Sequence, residues 1–280
     1  MLAVILALCS AACGGAADFV GGTASKRLSA FLVVLGNQFI GLVLIVGFII
    51  AIGAWPGEWD FLWWAVGAGV TALVGLVAFY QALATGKMSV VAPIAALGAV
   101  VPVAWGLLTG DEPAMFQVVG ILIALVGIVL ASGPELEGGT GMRPLMLAVL
   151  AAVGFGSHMA LLGEAAEVSA LGTIMVMKAS MVIPLLVLVT LVGRIATGLV
   201  LNRSTVALFV GLALLDLGAN AFFTAAIQQG MLSIVAVLGS LYPVFTVLLA
   251  RAIHGERLVG PQPFGVGAAL AGVALIAAAG

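Results

Sequence analysis

The sequence predicts an all-α integral membrane protein with ten transmembrane helices, arranged as two inverted five-helix repeats. Three observations predict it: the composition, the length of the apolar runs and the distribution of loop charges. Of 280 residues, 64% are hydrophobic and 7% are charged, whereas a soluble domain carries about 25% charged residues. So few polar residues cannot cover a surface exposed to water. This excludes a soluble globular protein, a disordered chain and a nucleic-acid binder with a basic face.

Ten apolar runs are long enough to be spans, since a helix needs about 20 apolar residues to cross a bilayer. We interpret the N-terminal run as the first span and not as a signal peptide, because no basic segment precedes it. The runs are continuous, unlike the short alternating strands of a membrane barrel. They cover Leu2–Gly22, Ala30–Ala54, Phe61–Ala84, Val90–Thr109, Phe116–Ser132, Pro144–Gly163, Ala170–Gly193, Thr205–Ile227, Leu232–Ala252 and Phe264–Ala279.

The loop charges alternate between the two sides of the predicted bundle. Every loop base falls in an odd-numbered loop: Lys26, Arg27, Lys87, Arg143, Arg194, Arg203, Arg251 and Arg257. The second, fourth and sixth loops hold acids without bases: Glu58, Asp60, Asp111, Glu112, Glu164 and Glu167. Basic loops stay in the cytoplasm. This count therefore predicts a cytoplasmic odd-loop side and external termini.

The two halves of the chain, 1–138 and 139–280, carry opposite charge patterns. The first loop is basic and the matching sixth loop is acidic, and the second and seventh loops reverse in the same way. Five spans per half make the second copy insert upside down, as in many secondary transporters. Short segments repeat in the same order, so 97–103 matches 238–244, and Gly120 and Gly127 match Gly265 and Gly272.

This pattern resembles the EamA-type drug/metabolite transporters. Its most specific part is the stretch from Ser233 to Arg251 with Pro243, followed by Gly255-Glu256-Arg257, and Pro102 takes the matching place in the first half. The resemblance implies ten helices, inverted repeats, a central cavity and alternating access, but no particular substrate. Members commonly have a basic second loop and cytoplasmic termini. Here that loop contains no base, so the charge count and the resemblance predict opposite orientations.

A polar stripe on the eighth span is the strongest candidate site. Asp216, Asn220 and Thr224 share one helical face of an otherwise apolar segment. A charge within hydrocarbon is costly, so its presence indicates function. The alternative is a hydrogen bond between helices that only fixes their packing.

Further polar and aromatic residues complete the candidate cavity. Lys178 in the seventh span either pairs with Asp216, attracts a substrate carboxylate or extends to the interface. Asp18 near the end of the first span is either a proton-binding group or an interfacial helix end. His158 in the sixth span is either a proton relay or a packed core residue. Possible cavity walls are Tyr80, Gln81, Trp105 and Tyr242. Candidate kinks, where proline removes a backbone hydrogen bond, are Pro93, Pro102, Pro184 and Pro243.

No catalytic triad, metal-ligand cluster or nucleotide-binding loop is present in the sequence. We therefore expect no enzyme and no cofactor beyond a coupled proton or ion. The sequence favours a secondary transporter of a small organic solute, an exporter of a metabolite such as an amino acid, in the inner (plasma) membrane. Its partners would be the bilayer, the solute and at most a second copy. The alternatives are a multidrug exporter and a non-transporting scaffold subunit.

Overall fold

The computed structural model describes residues 1–25, 28, 30–85, 94–131, 142–192, 203–254 and 260–278, and within them the secondary structure is helical, without strands. Six helices are long and apolar enough to cross a membrane, and four further apolar helices are shorter. The protein is therefore an all-helical, multi-pass membrane protein. The predicted boundary between the halves at residue 138 lies outside the described residues.

The helices follow one another with short connections. In chain order they are α1 (Leu2–Ser25), α2 (Ala30–Ile52), α3 (Leu62–Thr85), α4 (Val100–Thr109), α5 (Met115–Ala131), α6 (Met142–Val168), α7 (Ala170–Val192), α8 (Arg203–Ile227), α9 (Leu232–Gly239), α10 (Tyr242–His254) and α11 (Gln262–Ala278). A 3₁₀ turn, Leu97–Ala99, leads into α4. Within the described residues, each predicted span thus overlaps helix, and the ninth is divided into α9 and α10.

Five charged residues assigned above to loops lie within helices instead. Glu164 and Glu167 belong to the last turns of α6, which continues to Val168 because Gly163 and the alanines after it do not interrupt a helix in this setting. The α6–α7 turn comes at Ser169, whose Oγ accepts a hydrogen bond from Gly172 N at 3.2 Å. Arg143 lies in the first turn of α6, Arg203 begins α8 and Arg251 lies in α10.

The contacts between helices define two ends of the bundle. We call the end where α1 begins the proximal end, and the other the distal end. At the proximal end, Ala3 of α1 meets Gly230, and Leu232 of α9 meets Gly163 near the end of α6. At the distal end, Ala131 at the end of α5 meets Gly265 at the start of α11. The most extensive helix pairs are α3 with α6, α5 with α11, and α1 with α8.

The helices α5 and α11 pack through glycines at matching positions of the two halves. A Cβ on Gly120 would lie 2.9 Å from Gly272 O, and one on Gly127 would lie 2.9 Å from Gly265 O. In the repeat, Gly120 matches Gly265 and Gly127 matches Gly272. The Gly120–Gly272 contact therefore corresponds to the Gly127–Gly265 contact, and the repeat relates the two. Glycine is needed here because each backbone approaches closer than a side chain allows.

A break in the helix precedes the matched prolines Pro102 and Pro243. In the first half the chain passes through the 3₁₀ turn Leu97–Ala99 before α4. In the second half, α9 ends at Gly239 and α10 begins at Tyr242. Proline lacks an N–H for the preceding turn. The predicted kinks are thus helix interruptions at equivalent places. Pro184 lies inside the continuous α7, and Pro93 lies outside the described residues.

Candidate functional site

An ion pair between α7 and α8 is the centre of the candidate site. The Lys178 ammonium contacts the Asp216 carboxylate, and the side chains are 1% and 23% exposed. The lysine stem runs beside α2, where a Cβ on Gly41 would lie 3.4 Å from Lys178 Cε. Glycine at this position leaves room for the stem. A buried charge needs such a partner, because isolated burial costs several kcal/mol.

Two polar residues of α2 complete the surroundings of the ion pair. Lys178 Nζ donates to Gln38 Oε1 at 2.8 Å, and Asn37 Nδ2 donates to Asp216 Oδ2 at 3.3 Å. Asn37 Oδ1 is buried and has no hydrogen-bond partner among the described residues. Three helices from both halves therefore meet at one polar cluster, and the cluster contains an unsatisfied acceptor.

The polar stripe of α8 divides into two parts. Asn220 Nδ2 donates to Asp216 O at 2.8 Å and to Asp216 Oδ1 at 3.2 Å, so it belongs to the cluster. Thr224 is buried and its hydroxyl donates to Ala221 O at 3.1 Å, within its own helix. We therefore place Asn220, but not the Thr224 hydroxyl, beside the ion pair.

His158 of α6 packs against α3. His158 Nδ1 lies 3.0 Å from Ala68 O of α3. A carbonyl only accepts, so Nδ1 carries the proton in this bond, and Nε2 is the acceptor of the neutral ring.

Asp18 of α1 lies at the depth of Asp216 along the bundle. Ser10 Oγ donates to Ala219 O at 2.8 Å, and Gly21 faces Leu212, so the residues of α1 between them lie beside the part of α8 that holds Asp216. Asp18 is exposed and lies two turns inside α1, which extends further than predicted.

Tyr242 of α10 lies against α1, one turn before Asp18. A Cβ on Gly14 would lie 3.4 Å from Tyr242 Cβ, and a Cβ on Gly15 would lie 2.6 Å from Tyr242 O. Helix α1 approaches α10 this closely because both positions are glycine. Asp18 therefore lies on a helix that packs against the helices of both Asp216 and Tyr242.

The remaining candidates lie elsewhere or are only partly described. Trp105 is one turn from the proximal end of α4, where its Nε1 donates to Glu164 Oε1 of α6 at 2.6 Å. Gln81 is exposed near the distal end of α3. The side chain of Tyr80 lies outside the described residues.

A second contact joins the halves at the proximal end. Asp111 Oδ2 accepts a hydrogen bond from Ser233 N at 2.7 Å, in the first turn of α9. A carboxylate at a helix N-terminus satisfies a free N–H and complements the helix dipole. With the bond between Trp105 and Glu164, it holds α4 against both α6 and α9.

A family model, described as the EamA-like transporter family, matches residues 1–133 and 142–278. The chain belongs to the EamA-like transporter family. The two matched segments lie on either side of the predicted boundary at residue 138, so the protein consists of two EamA-like repeats. The resemblance read from the proline and glycine pattern is thereby confirmed, and with it membership of a membrane transporter family.

The EamA-like chain also shares its fold with solved structures. Twenty-nine chains of solved structures match its fold. One crystal structure of a protein superposes with a TM-score of 0.76 and 16% sequence identity, over 98% of this chain and 95% of that chain. At this identity the match shows the fold alone. No curated protein matches the sequence.

Two residues of the cluster were not among the predicted site residues. Asn37 and Gln38 are polar neighbours inside the apolar run Ala30–Ile52. In the repeat, they correspond to the stretch of the seventh span that contains Lys178. Both clues are present in the sequence, but only the packing of α2 against α7 and α8 shows that they bind the ion pair.

Proposed function

We propose that this protein is a secondary active transporter that exports a small organic solute across the inner (plasma) membrane. In this proposal ten helices cross the bilayer, and the two repeats are inverted and move against each other around a central site. Amino acids are the first solute class to test, and a proton or ion supplies the driving gradient. The transporter acts as a monomer or a homodimer.

The observation that carries the proposal is the ion pair of Lys178 and Asp216, surrounded by polar groups of α2 and α8. Replacing a buried ion pair by apolar residues is often neutral or stabilising. Packing stability therefore does not by itself account for a charged pair here, and intramembrane ionisable residues mark solute and ion pathways. Membership of a transporter family supports the same function.

Two features support alternating access between the repeats. The two glycine contacts between α5 and α11 join matching positions of the two halves, so each contact is the repeat equivalent of the other. Such equivalence is expected of inverted repeats. The helix breaks before Pro102 and Pro243 give each half an interrupted helix near the middle of its span. Interrupted helices of this kind commonly line the central site of transporters.

Flux into proteoliposomes tests the proposal. We expect the purified wild type to move at least one of a panel of amino acids, amines, nucleosides and sugars when a proton or sodium gradient is imposed. Asp216→Asn and Lys178→Ala should each reduce that flux at least about tenfold, because the site loses a charge it uses. Glu167→Gln, which changes an exposed carboxylate at the end of α6, is the control and should transport like the wild type.

The same assay separates the alternatives. Flux of many unrelated hydrophobic cations, unaffected by the substitutions at Asp216 and Lys178, would indicate a multidrug exporter. If no solute in the panel moves while a partner protein co-purifies with the chain, a scaffold subunit would replace the proposal.

A further inference from the structure

Helices α2 and α7 are the second helices of the two halves, and they meet at matching residues. Each has 23 residues, beginning at Ala30 in α2 and at Ala170 in α7. Gln38 is therefore the ninth residue of α2, and Lys178 is the ninth residue of α7. Lys178 Nζ donates to Gln38 Oε1 at 2.8 Å, and both side chains are buried. A residue of one repeat thus bonds to its own counterpart in the other.

Helices α5 and α11, the last helices of the two halves, also meet at matching residues. Ala124 lies three residues before Gly127. Ala269 lies three residues before Gly272, the counterpart of Gly127, so the two alanines correspond. A Cβ on Gly272 would lie 2.8 Å from Ala124 Cβ, and a Cβ on Gly127 would likewise meet the backbone of Ala269. Such a self-complementary contact is what a two-fold axis generates.

The contacts beside these two points are related in the same way. Asn37, the eighth residue of α2, donates to Asp216 of α8 at 3.3 Å. Met177, the eighth residue of α7, lies against α3, where a Cβ on Gly69 would lie 2.6 Å from Met177 O. Helices α3 and α8 are the third helices of their halves. One approximate two-fold axis therefore relates the halves, and it passes through the two contacts that join matching residues.

We call these two the axial contacts: the Gln38–Lys178 bond, and the contact of α5 with α11 at Ala124 and Ala269. A contact between a residue and its own counterpart is unchanged when inverted repeats exchange conformations. A contact between unlike residues is carried to the opposite end of the bundle by the same exchange. The proximal bond from Ser233 N to the Asp111 carboxylate is of this second kind.

Resting on the proposed transport function, we infer that Gln38 is a positioning residue, which keeps Lys178 on the axis about which the repeats rock, in both access states. Lys178 is fully buried and bonds to Gln38 and Asp216. It holds the Asp216 carboxylate in place and does not itself bind the solute. Alternating access opens contacts at the ends of the bundle and leaves both axial contacts closed.

Exchanging the two polar axial residues tests their equivalence. Gln38→Lys places two ammonium groups side by side, and Lys178→Gln leaves Asp216 without its cation, so each variant should unfold at a lower temperature than the wild type. The double variant Gln38→Lys/Lys178→Gln again has one ammonium, one amide and one carboxylate. It should recover about half or more of the larger loss, because the two changes compensate each other. A double variant that unfolds no later than either single variant would contradict the axial placement.

Transport kinetics separate a positioning role from solute binding. Gln38→Met removes the acceptor of Lys178 while keeping an unbranched side chain of similar length. For a solute that the wild type transports, maximal flux should fall about fivefold, and the half-saturating concentration should stay within about twofold. Glu167→Gln should match the wild type in both quantities. A raised half-saturating concentration with unchanged maximal flux would place Lys178 in the solute site and overturn the inference.

A disulfide across the other axial contact tests the fixed axis itself. In a background without the native cysteines, Ala124→Cys with Ala269→Cys should become linked by a membrane-permeant oxidant. We expect the linked protein to transport at the rate of its reduced form, which is its own control. Blocked flux on linking, or failure of the two thiols to link, would refute the axis. If the wild type moves no solute at all, the transport function fails, whereas the unfolding temperatures still decide whether the polar axial residues are interchangeable.

Discussion

The Lys178 ammonium is held by groups from two other helices, and this arrangement decides how the residue can act. Asp216 comes from α8, and Gln38 comes from α2. Asn37 and Asn220 then donate to Asp216. Each charge thus has a partner of opposite sign or a polar group, as burial in hydrocarbon requires.

Removing one member of this ion pair should destabilise the protein more than removing both. Lys178→Met or Asp216→Asn leaves a buried charge without its partner, at a cost of about 3–5 kcal/mol. The double variant carries no such charge and should recover much of the loss. Thermal unfolding of the four proteins in detergent measures this coupling. Single variants that unfold at the wild-type temperature would contradict it.

The sequence identified both members of the ion pair but not their whole surroundings. A charge within an apolar run is visible without a structure, because a charged side chain in hydrocarbon is costly and therefore rare. Gln38, beside Asn37, is an uncharged polar residue in such a run, and its role depends on which face of α2 meets α7. That face is decided by contacts such as Gly41 against the lysine stem.

At the scale of elements, α5 and α11 depend on glycines that no larger residue can replace. A Cβ on Gly272 would lie 2.7 Å from Ala124 N and 2.7 Å from Gly120 O, which are backbone atoms that cannot move aside. Gly267, on the same helix α11, has nothing within 4 Å of its Cβ position. The two glycines therefore form a matched pair for substitution.

Alanine at these two positions should have opposite effects. We expect Gly272→Ala to lower the free energy of unfolding by about 1–3 kcal/mol, as overpacking does. Gly267→Ala should be neutral or slightly stabilising, because alanine favours the helix. Unfolding of both variants in detergent provides the comparison. Equal effects at the two positions would mean that α5 and α11 do not pack in this way.

At the scale of the whole molecule, the proximal contacts join the two repeats. Trp105 of the first half bonds to Glu164 of the second, and Asp111 bonds to Ser233. If the repeats move against each other, these contacts must open during transport. A covalent link across them would then stop the cycle.

A cross-link between Trp105→Cys and Glu164→Cys should therefore block transport. The test requires a background without Cys9 and Cys13 and a cleavable bifunctional thiol reagent. We expect flux to fall several-fold on cross-linking and to return on cleavage. The control pair, Ala166→Cys with Gln228→Cys, joins two contacting residues of the second half and should leave flux unchanged. Unimpaired flux through the linked Trp105–Glu164 pair would exclude opening at this end.

Membrane topology is the second prediction at this scale. In the same cysteine-free background, an impermeant maleimide should label Gly57→Cys and Gln229→Cys from one side of the membrane. It should label Met142→Cys and Arg203→Cys from the other. The basic residues at the distal end predict that the first pair is external. Labelling of all four from one side would contradict the ten-span arrangement, and the reverse sidedness would agree with the orientation common in the family.

The sequence by itself determined the membrane class, the two repeats and the charged residues within spans, because each follows from composition, matching segments or the cost of a charge in hydrocarbon. Tertiary structure decided which groups meet. It placed Gln38 on Lys178, Asp18 at the depth of Asp216, and Trp105 on Glu164 at the proximal end. The apolar helices could not reveal this, since their even hydrophobicity does not specify which face packs inward. Close contacts at glycines decide it.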